Sequence, residues 1–423
     1  MQTSQVDVWP SLLAEFEPLE GICPAIYRSL TGDPAGDIWY YAPGYLVAAP
    51  AHEAERFEAQ LSSPTSGSVH AVELRHHAAQ AQARWEAART EPFRPICLTV
   101  YPGNECNSAC QYCYSIASRS DPESRLDVET VAAAARLVAA NCAARSLPLA
   151  VVLHGGGEPT LDPLLADDIL DAADAAASTY GLGRFRYVAT NGIMGSSTAS
   201  WLARRFDLVG LSCDGPDWIQ DCQRPLGNGR PSSQIVERTA DVVGNAGRPL
   251  HVRVTVTPAS MAYQAQIAEY VCNRLRPLAI HVEPVYRLRE ATAPTVDFAP
   301  DAAEEFVRRF LEGKAVALRY GVEWSCSMAR LAEIHGPYCQ VFRDVLQIVP
   351  GGVATACFGT VDAKGARRLR LEIGALSDDR SHFEIYDDRV RELRASLSLR
   401  SASCDECFNR YHCARACPEA CPA

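Results

Sequence analysis

The stretch ICLTVYPGNECNSACQYCYS, residues 96–115, sets an apolar run at 96–101 directly ahead of three cysteines spaced Cys106-x3-Cys110-x2-Cys113. The run is rich in β-branched and aromatic residues and stops at Pro102-Gly103, so it reads as a strand that breaks into a loop. The cysteines therefore belong to the loop at the strand's C-terminal end. Thiolates this close in sequence can hold a metal group together, and three of them are one fewer than a four-iron cluster normally takes. One iron is left open for another ligand. A structural zinc site would instead call for four closing ligands.

Outward from this strand the pattern alternates. Apolar runs at 149–154, 184–189, 208–212, 251–257 and 279–285 are separated by helical patterns that include 128–143, 165–180, 233–244 and 265–274. Nearly continuous apolar strands alternating with helices predict a parallel sheet covered by helices. Loops rich in special residues follow several of the runs: Gly155-Gly156-Gly157-Glu158-Pro159, Thr190-Asn191-Gly192 and Leu211-Ser212-Cys213-Asp214-Gly215-Pro216. In α/β barrels the chemistry sits at C-terminal strand ends, so these loops are expected on one rim.

The flanks read differently. In residues 1–94, runs at 37–41 and 45–48 around Pro43-Gly44 predict a hairpin, followed by helices at 51–61 and 72–88. Beyond residue 301 a helix is expected at 302–319, then a hairpin of 345–349 and 353–357 that turns at Pro350-Gly351-Gly352 and ends on Cys357. The tail runs Cys404-x2-Cys407-x5-Cys413-x3-Cys417-x3-Cys421 with little apolar material between the cysteines. Such a segment has no hydrophobic core of its own and is expected to be held by metal.

Composition narrows the setting. Of 423 residues, 48% are apolar and 22% charged, as in ordinary soluble proteins. A net charge of -11 without clustered Lys or Arg argues against nucleic acid or an anionic membrane as partner. No apolar run approaches the about 20 residues of a membrane span, and residues 1–10 lack a signal-peptide pattern, so a cytoplasmic protein is expected. Seventeen cysteines in a reducing compartment point to metal ligation rather than disulfides. Cys23, Cys97, Cys142, Cys213, Cys222 and Cys272 stand apart from the clusters and read as packed thiols.

CNSACQYCY at 106–114 resembles the cluster loop of radical S-adenosylmethionine (SAM) enzymes, and the segments at 155–159, 190–192 and 211–216 resemble further family segments in order and strand context. Asp221-Cys222-Gln223-Arg224 and Gly229 are similar to the signature of the peptide-modifying branch. Cys339-x12-Gly352-x4-Cys357 and the five-cysteine tail resemble the SPASM domain, which carries twin auxiliary four-iron clusters. The resemblance covers roughly residues 93–423. It implies a partial (β/α)6 barrel at 95–300, preceded by an α+β extension at 1–94 that caps the barrel or recruits substrate, and followed by a cysteine-rich SPASM domain at 301–423.

The resemblance also implies ligands. Cys106, Cys110 and Cys113 would hold the site-differentiated cluster, whose open iron takes the amino and carboxylate groups of SAM. Tyr112 would lie against adenine, Gly156, Gly157 and Glu158 at the amino group, Asn191 in the same set, and Ser212 at a ribose hydroxyl. Arg238 is the expected carboxylate partner, with Arg253 on the next strand as its rival. Cys339, Cys357 and Cys417, with Cys326 as candidate fourth ligand, would hold one auxiliary cluster, and Cys404, Cys407, Cys413 and Cys421 the other. An external donor such as flavodoxin or ferredoxin is implied. Relatives that mature sulfatases carry an acid directly after the hairpin cysteine, where this chain has Phe358. The expected reaction is therefore oxidative cross-linking of a precursor peptide through a thioether, carbon-carbon or ether bond, the alternative being dehydrogenation or rearrangement of a small molecule. An iron-sulfur electron-transfer protein would leave the SAM segments without a purpose.

Overall fold

The computed structural model describes residues 16–19, 25–33, 35–63, 67–115, 125–285, 302–327 and 339–397. The described residues up to Glu91 with 394–397 form one compact unit, and Pro92–Ser327 with Cys339–Leu393 the other.

In the first unit β1 (Phe16–Pro18), β2 (Tyr27–Ser29), β3 (Asp37–Ala42) and β4 (Tyr45–Pro50) form a four-stranded antiparallel sheet in sequence order. The β3–β4 turn falls on Pro43-Gly44 as expected, and Gly44 takes φ 88°, a conformation that suits a residue without Cβ. Helices α1 (Ala54–Ser62) and α2 (Val69–Thr90) follow, the second capped by Ser68, which accepts from the Ala71 amide. Tyr40, Phe57, Leu61, Leu74 and Trp85 share one core between sheet and helices.

The second unit is built on a sheet of 11 strands. Strands β5 (Cys97–Val100), β6 (Leu149–Leu153), β7 (Arg184–Thr190), β8 (Leu208–Ser212), β9 (Leu250–Val256) and β10 (Ala279–Pro284) lie side by side and parallel. Strand β11 (Glu323–Ser325) adds to β10 in parallel. Strand β12 (Val345–Val349) adds to β5, also in parallel, and continues antiparallel into β13 (Val353–Thr355), β14 (Glu372–Leu376) and β15 (Phe383–Ile385). Its helices are α3 (Val128–Ala144), α4 (Pro163–Thr179), α5 (Ser196–Arg205), α6 (Asp217–Gln223), α7 (Ser233–Asn245), α8 (Gln264–Leu275), α9 (Ala302–Arg319), α10 (Ala363–Arg368) and α11 (Asp387–Ser396), the last ending beyond the unit. Asp127 and Asp162 cap α3 and α4, and Pro163 takes the first helical position of α4, where its missing N–H costs nothing.

The sheet is curved. Strands stand about 4.8 Å apart, so three steps from β9 to β6 exceed the reach of one side chain on a flat sheet. Arg253 of β9 nevertheless bonds His154, the residue after β6. Along β9 the residues Leu250, Val252, Val254 and Val256 are buried while His251, Arg253 and Thr255 are half-buried, so the latter line the concave face.

The architecture is the expected open α/β partial barrel, with strand ends within about two residues of the expected ones. Strand β11 and helices α5 and α6 are additions. The hairpin expected beyond residue 301 is present and joins the barrel sheet through β12.

Candidate active site

The loop carrying Cys106, Cys110 and Cys113 leaves β5 and is clamped along its length. Ala109 and Gln111 donate backbone N–H groups to Pro225 and Gln223 carbonyls at 2.9 and 3.0 Å, and Gly227 donates to Asn107 at 2.8 Å. Each thiol meets a polar group: Asn191 Nδ2 lies 3.7 Å from Cys106, Ser108 Oγ 3.1 Å from Cys110, and Ser115 Oγ 3.3 Å from Cys113. Arg224 Nη1 adds a positive charge 4.0 Å from the Cys110 sulfur. Burial, with smaller contributions from Cys113 and Asp214, pushes the Cys110 thiol pKa up, and Arg224 and Ser108 pull the other way. Three thiols with hydrogen-bond donors beside them fit a group that takes thiolates and carries negative charge. Among the described residues no three His, Cys, Asp or Glu side chains are drawn close enough to hold a single metal ion.

The glycine loop after β6 rests on this cysteine loop. Gly157 and Glu158 donate N–H groups to the carbonyls of Gly103 and Glu105 at 3.0 and 2.8 Å. A Cβ on Gly157 would lie 2.0 Å from the Glu105 carbonyl oxygen, and one on Gly156 1.9 Å from Asn104 Oδ1. The glycines are thus required by loop-on-loop contact. Glu158, also buried, accepts from the Thr160 amide and hydroxyl and the Thr190 hydroxyl on one oxygen and from the Asn191 amide on the other. Burial raises its pKa, and these four bonds oppose the rise. Glu158 thereby fixes the Thr190-Asn191-Gly192 turn, which places Asn191 against Cys106.

A second buried carboxylate joins three motifs. Asp214 has no exposed surface; it pairs with Arg224 at 3.0 Å and accepts from Gln223 Nε2 at 2.8 Å, from the Thr255 amide at 2.9 Å and from the Tyr112 hydroxyl. The Arg224 guanidinium also lies over the Tyr112 ring, 5.2 Å from its centre. Tyr112 is therefore fixed at both its face and its hydroxyl. Asp221 accepts from the Ser232 and Ser233 amides, both at 2.7 Å, and so fastens the start of α7.

Ser212 stands half-buried at the end of β8. Its expected neighbour Arg238 is not brought to these loops: it lies on the exposed side of α7, whose inner side is formed by Val236, Thr239, Ala240 and Val243. Arg253 is on the concave face, opposite Ser212 in the β8–β9 register.

Gln340 donates its N–H to the Ala356 carbonyl at 2.8 Å, which brings the backbones beside Cys339 and Cys357 together. Buried Gln347 of β12 holds the same loop, donating to the carbonyls of Cys357 and Thr360 at 3.2 and 3.3 Å. Cys326, also buried, directly follows β11, and its thiol lies 3.9 Å from Glu283 Oε2. Burial pulls the Glu283 pKa up, but the bonds from His281 and Ser327 outweigh it and leave it lowered. Cys404, Cys407, Cys413, Cys417 and Cys421 lie outside the described residues, as does Cys23.

The sequence reading missed Tyr101, Tyr114, His154 and the Glu283–His281 pair, which all lie near these loops. For the Glu283–His281 pair the signal was present as period-2 polar residues in an apolar strand, His281 and Glu283 in AIHVEP.

Residues 100–271 match the profile of the Radical SAM superfamily. The fold is similar to native anSMEcpe with bound AdoMet, at TM-score 0.61 and 17% identity over 78% of this chain and 92% of that one. It is also similar to Streptococcus suis SuiB bound to precursor peptide SuiA, at TM-score 0.55 and 13% identity over 94% of each chain. SuiB bound to S-adenosylmethionine gives TM-score 0.52 and 15% identity over 93% of this chain and 94% of that one. The cysteine loop, the glycine loop and the Asp214–Arg224 pair all fall inside the matched segment, and the chain therefore carries a radical SAM domain at residues 100–271.

Proposed function

We propose that this chain is a cytoplasmic radical SAM peptide maturase, which oxidatively cross-links a ribosomal precursor peptide through a thioether, carbon-carbon or ether bond. The superfamily implies a four-iron cluster and SAM. Cys106, Cys110 and Cys113 would hold the cluster, and Tyr112, Gly156, Gly157, Glu158, Asn191 and Ser212 would surround SAM. When bound, the two supply a 5′-deoxyadenosyl radical for hydrogen abstraction. The chain's own part is to orient and enclose. Asp214 and Arg224 fix Tyr112, Glu158 fixes the Asn191 turn, and the concave face with Arg253 and His154 receives the substrate.

One observation carries the reading beyond the family. Strand β12 pairs directly with β5, and the hydroxyl of Tyr101, the residue after β5, reaches the carbonyl of Phe358 next to Cys357, which ties the hairpin cysteine loop to the strand that launches the first cysteine loop. A second cluster site beside the first suits a reaction that removes two hydrogens overall. Cys339, Cys357 and Cys417 with Cys326, and Cys404, Cys407, Cys413 and Cys421, are the proposed auxiliary ligand sets. Phe358 fills the place where an acid would serve formylglycine formation, and its carbonyl accepts from the Tyr101 hydroxyl at 2.8 Å.

The test is incubation of the reconstituted enzyme with a peptide encoded beside its gene, SAM and a reductant such as reduced flavodoxin. A product about 2 Da lighter, with fragmentation suppressed inside a ring, is expected for a two-electron oxidation. A methyl mass gain, loss of carbon dioxide, or turnover of non-peptide substrates only would overturn it.

A further inference from the structure

Arg253 is a cation held among neutral groups. Its Nη1 donates to His154 Nε2, and the Tyr187 hydroxyl of β7 lies within the influence of the same guanidinium, which pulls its pKa down against the rise from burial. Gly210 of β8 makes room for this arrangement, because a Cβ there would sit 1.9 Å from the Tyr187 hydroxyl. Among the described residues no carboxylate pairs with Arg253. The nearest acids by strand register are Glu283, whose carboxylate is turned to His281 at 2.6 Å and to Ser327, and Asp214, which is paired with Arg224 at 3.0 Å. A guanidinium drawn out of water without an anion is costly, and its planar fork matches a carboxylate.

The location says whose carboxylate it is. Tyr101, stacked on His154 at 5.7 Å, bonds Phe358 next to Cys357, and Tyr114 follows Cys113. Both tyrosines feel the Arg253 charge. The guanidinium thus faces the space between the first cysteine loop and the hairpin cysteine loop. The other guanidinium of the site, Arg224, is the one beside the cluster thiols. Burial and the Arg253 charge hold His154 neutral, its pKa lowered to about 3, so it accepts from the guanidinium and brings no competing positive charge.

We propose that Arg253, oriented by Tyr187 and His154, seats a carboxylate of the substrate, so that the reacting peptide segment presents an Asp or Glu side chain or its own C-terminus. This rests on the peptide reading above. SAM carries the same chemical group, and the experiment separates the two sources. Isothermal titration of anaerobically reconstituted wild type, Arg253→Gln and Arg253→Lys is made first with SAM. It is then repeated at saturating SAM with N-acetyl-L-glutamate N-methylamide and with its glutamine counterpart.

Wild type is expected to prefer the acid about tenfold, as a charge-assisted pair would give. Arg253→Gln should abolish that preference and change SAM affinity less than about twofold, while Arg253→Lys keeps part of it. Equal binding of acid and amide by wild type, or binding of neither, overturns the proposal. So does an Arg253→Gln variant that loses about tenfold or more in SAM affinity, for then the carboxylate is that of SAM. If Arg253→Gln does not fold, the wild-type preference and its fate in Arg253→Lys decide. An acid preference without a lighter peptide product would sink the peptide reading alone, and the product without the preference would sink this proposal alone.

Discussion

Asp214 shows how one residue can serve a site it never touches chemically. With no exposed surface, it holds Arg224, Gln223, Tyr112 and the Thr255 amide at once. Removing one member of a buried ion pair leaves the other uncompensated, at a cost of about 3 kcal/mol or more. Asp214→Asn should lose about that much in urea unfolding, whereas Asp221→Ala, which removes only a helix cap, should lose about 1 kcal/mol. Equal losses would show that the Asp214 pair is not the stronger tie. His154 gives a pH dependence. Its folded pKa of about 3 lies below the ordinary 6.5, so the unfolded chain binds the extra proton between these values. The stabilisation is complete above the ordinary value and falls away as pH drops toward the folded one. For a half-buried ring the loss should stay within about 3 kcal/mol, and His154→Gln should flatten that slope relative to wild type in unfolding midpoints taken from about pH 7.5 to 4.5.

At the scale of elements, the glycine loop and the cysteine loop are one object. Gly157→Ala drives a Cβ into the Glu105 backbone at 2.0 Å, and a backbone obstacle has no rotamer to escape into. It should cost about 2 kcal/mol and displace the cysteine loop, seen as lost iron absorbance after reconstitution. Gly244→Ala, on the exposed side of α7 with nothing within 4 Å, should stabilise by about 0.5–1 kcal/mol. Iron retention equal in the two variants would refute the loop coupling. The long apolar strands and their loops were legible in the sequence because burial on both faces leaves a continuous apolar run. Strand β11, three residues reading Glu-Trp-Ser, was not, since nothing in so short a polar stretch distinguishes it from a turn. Nor was the pairing of β12 with β5, a contact between segments some 250 residues apart that no local pattern records. Among the site residues, cysteines and glycines were legible from their spacing. Arg238 and Arg253 were not separable until α7 turned the first outward and β9 the second onto the concave face.

Over the whole second unit, the strand order gives the described cysteines of the proposed cluster sites their places in the sheet. The first cysteine loop follows β5, Cys339 and Cys357 flank the β12–β13 hairpin beside it, and Cys326 follows β11 at the end of the strand order. Three clusters on the proposed ligand sets correspond to about twelve irons per chain. Ala at Cys106, Cys110 and Cys113 together should remove about four of these and abolish reductive cleavage of SAM to 5′-deoxyadenosine. Cys413→Ala should keep some cleavage and lose product, because the auxiliary cluster proposed there would act after the radical is formed. Cys326→Ala tests the remaining ligand. That thiol is buried beside Glu283, so if it also ligates iron, its loss should lower the auxiliary iron and alter the cluster spectrum while the first cluster still cleaves SAM. Unchanged iron and spectra would leave the first auxiliary site with three protein thiolates and an open iron facing substrate. Total iron near four per chain, or stoichiometric zinc in place of the rest, would refute the auxiliary allocation altogether.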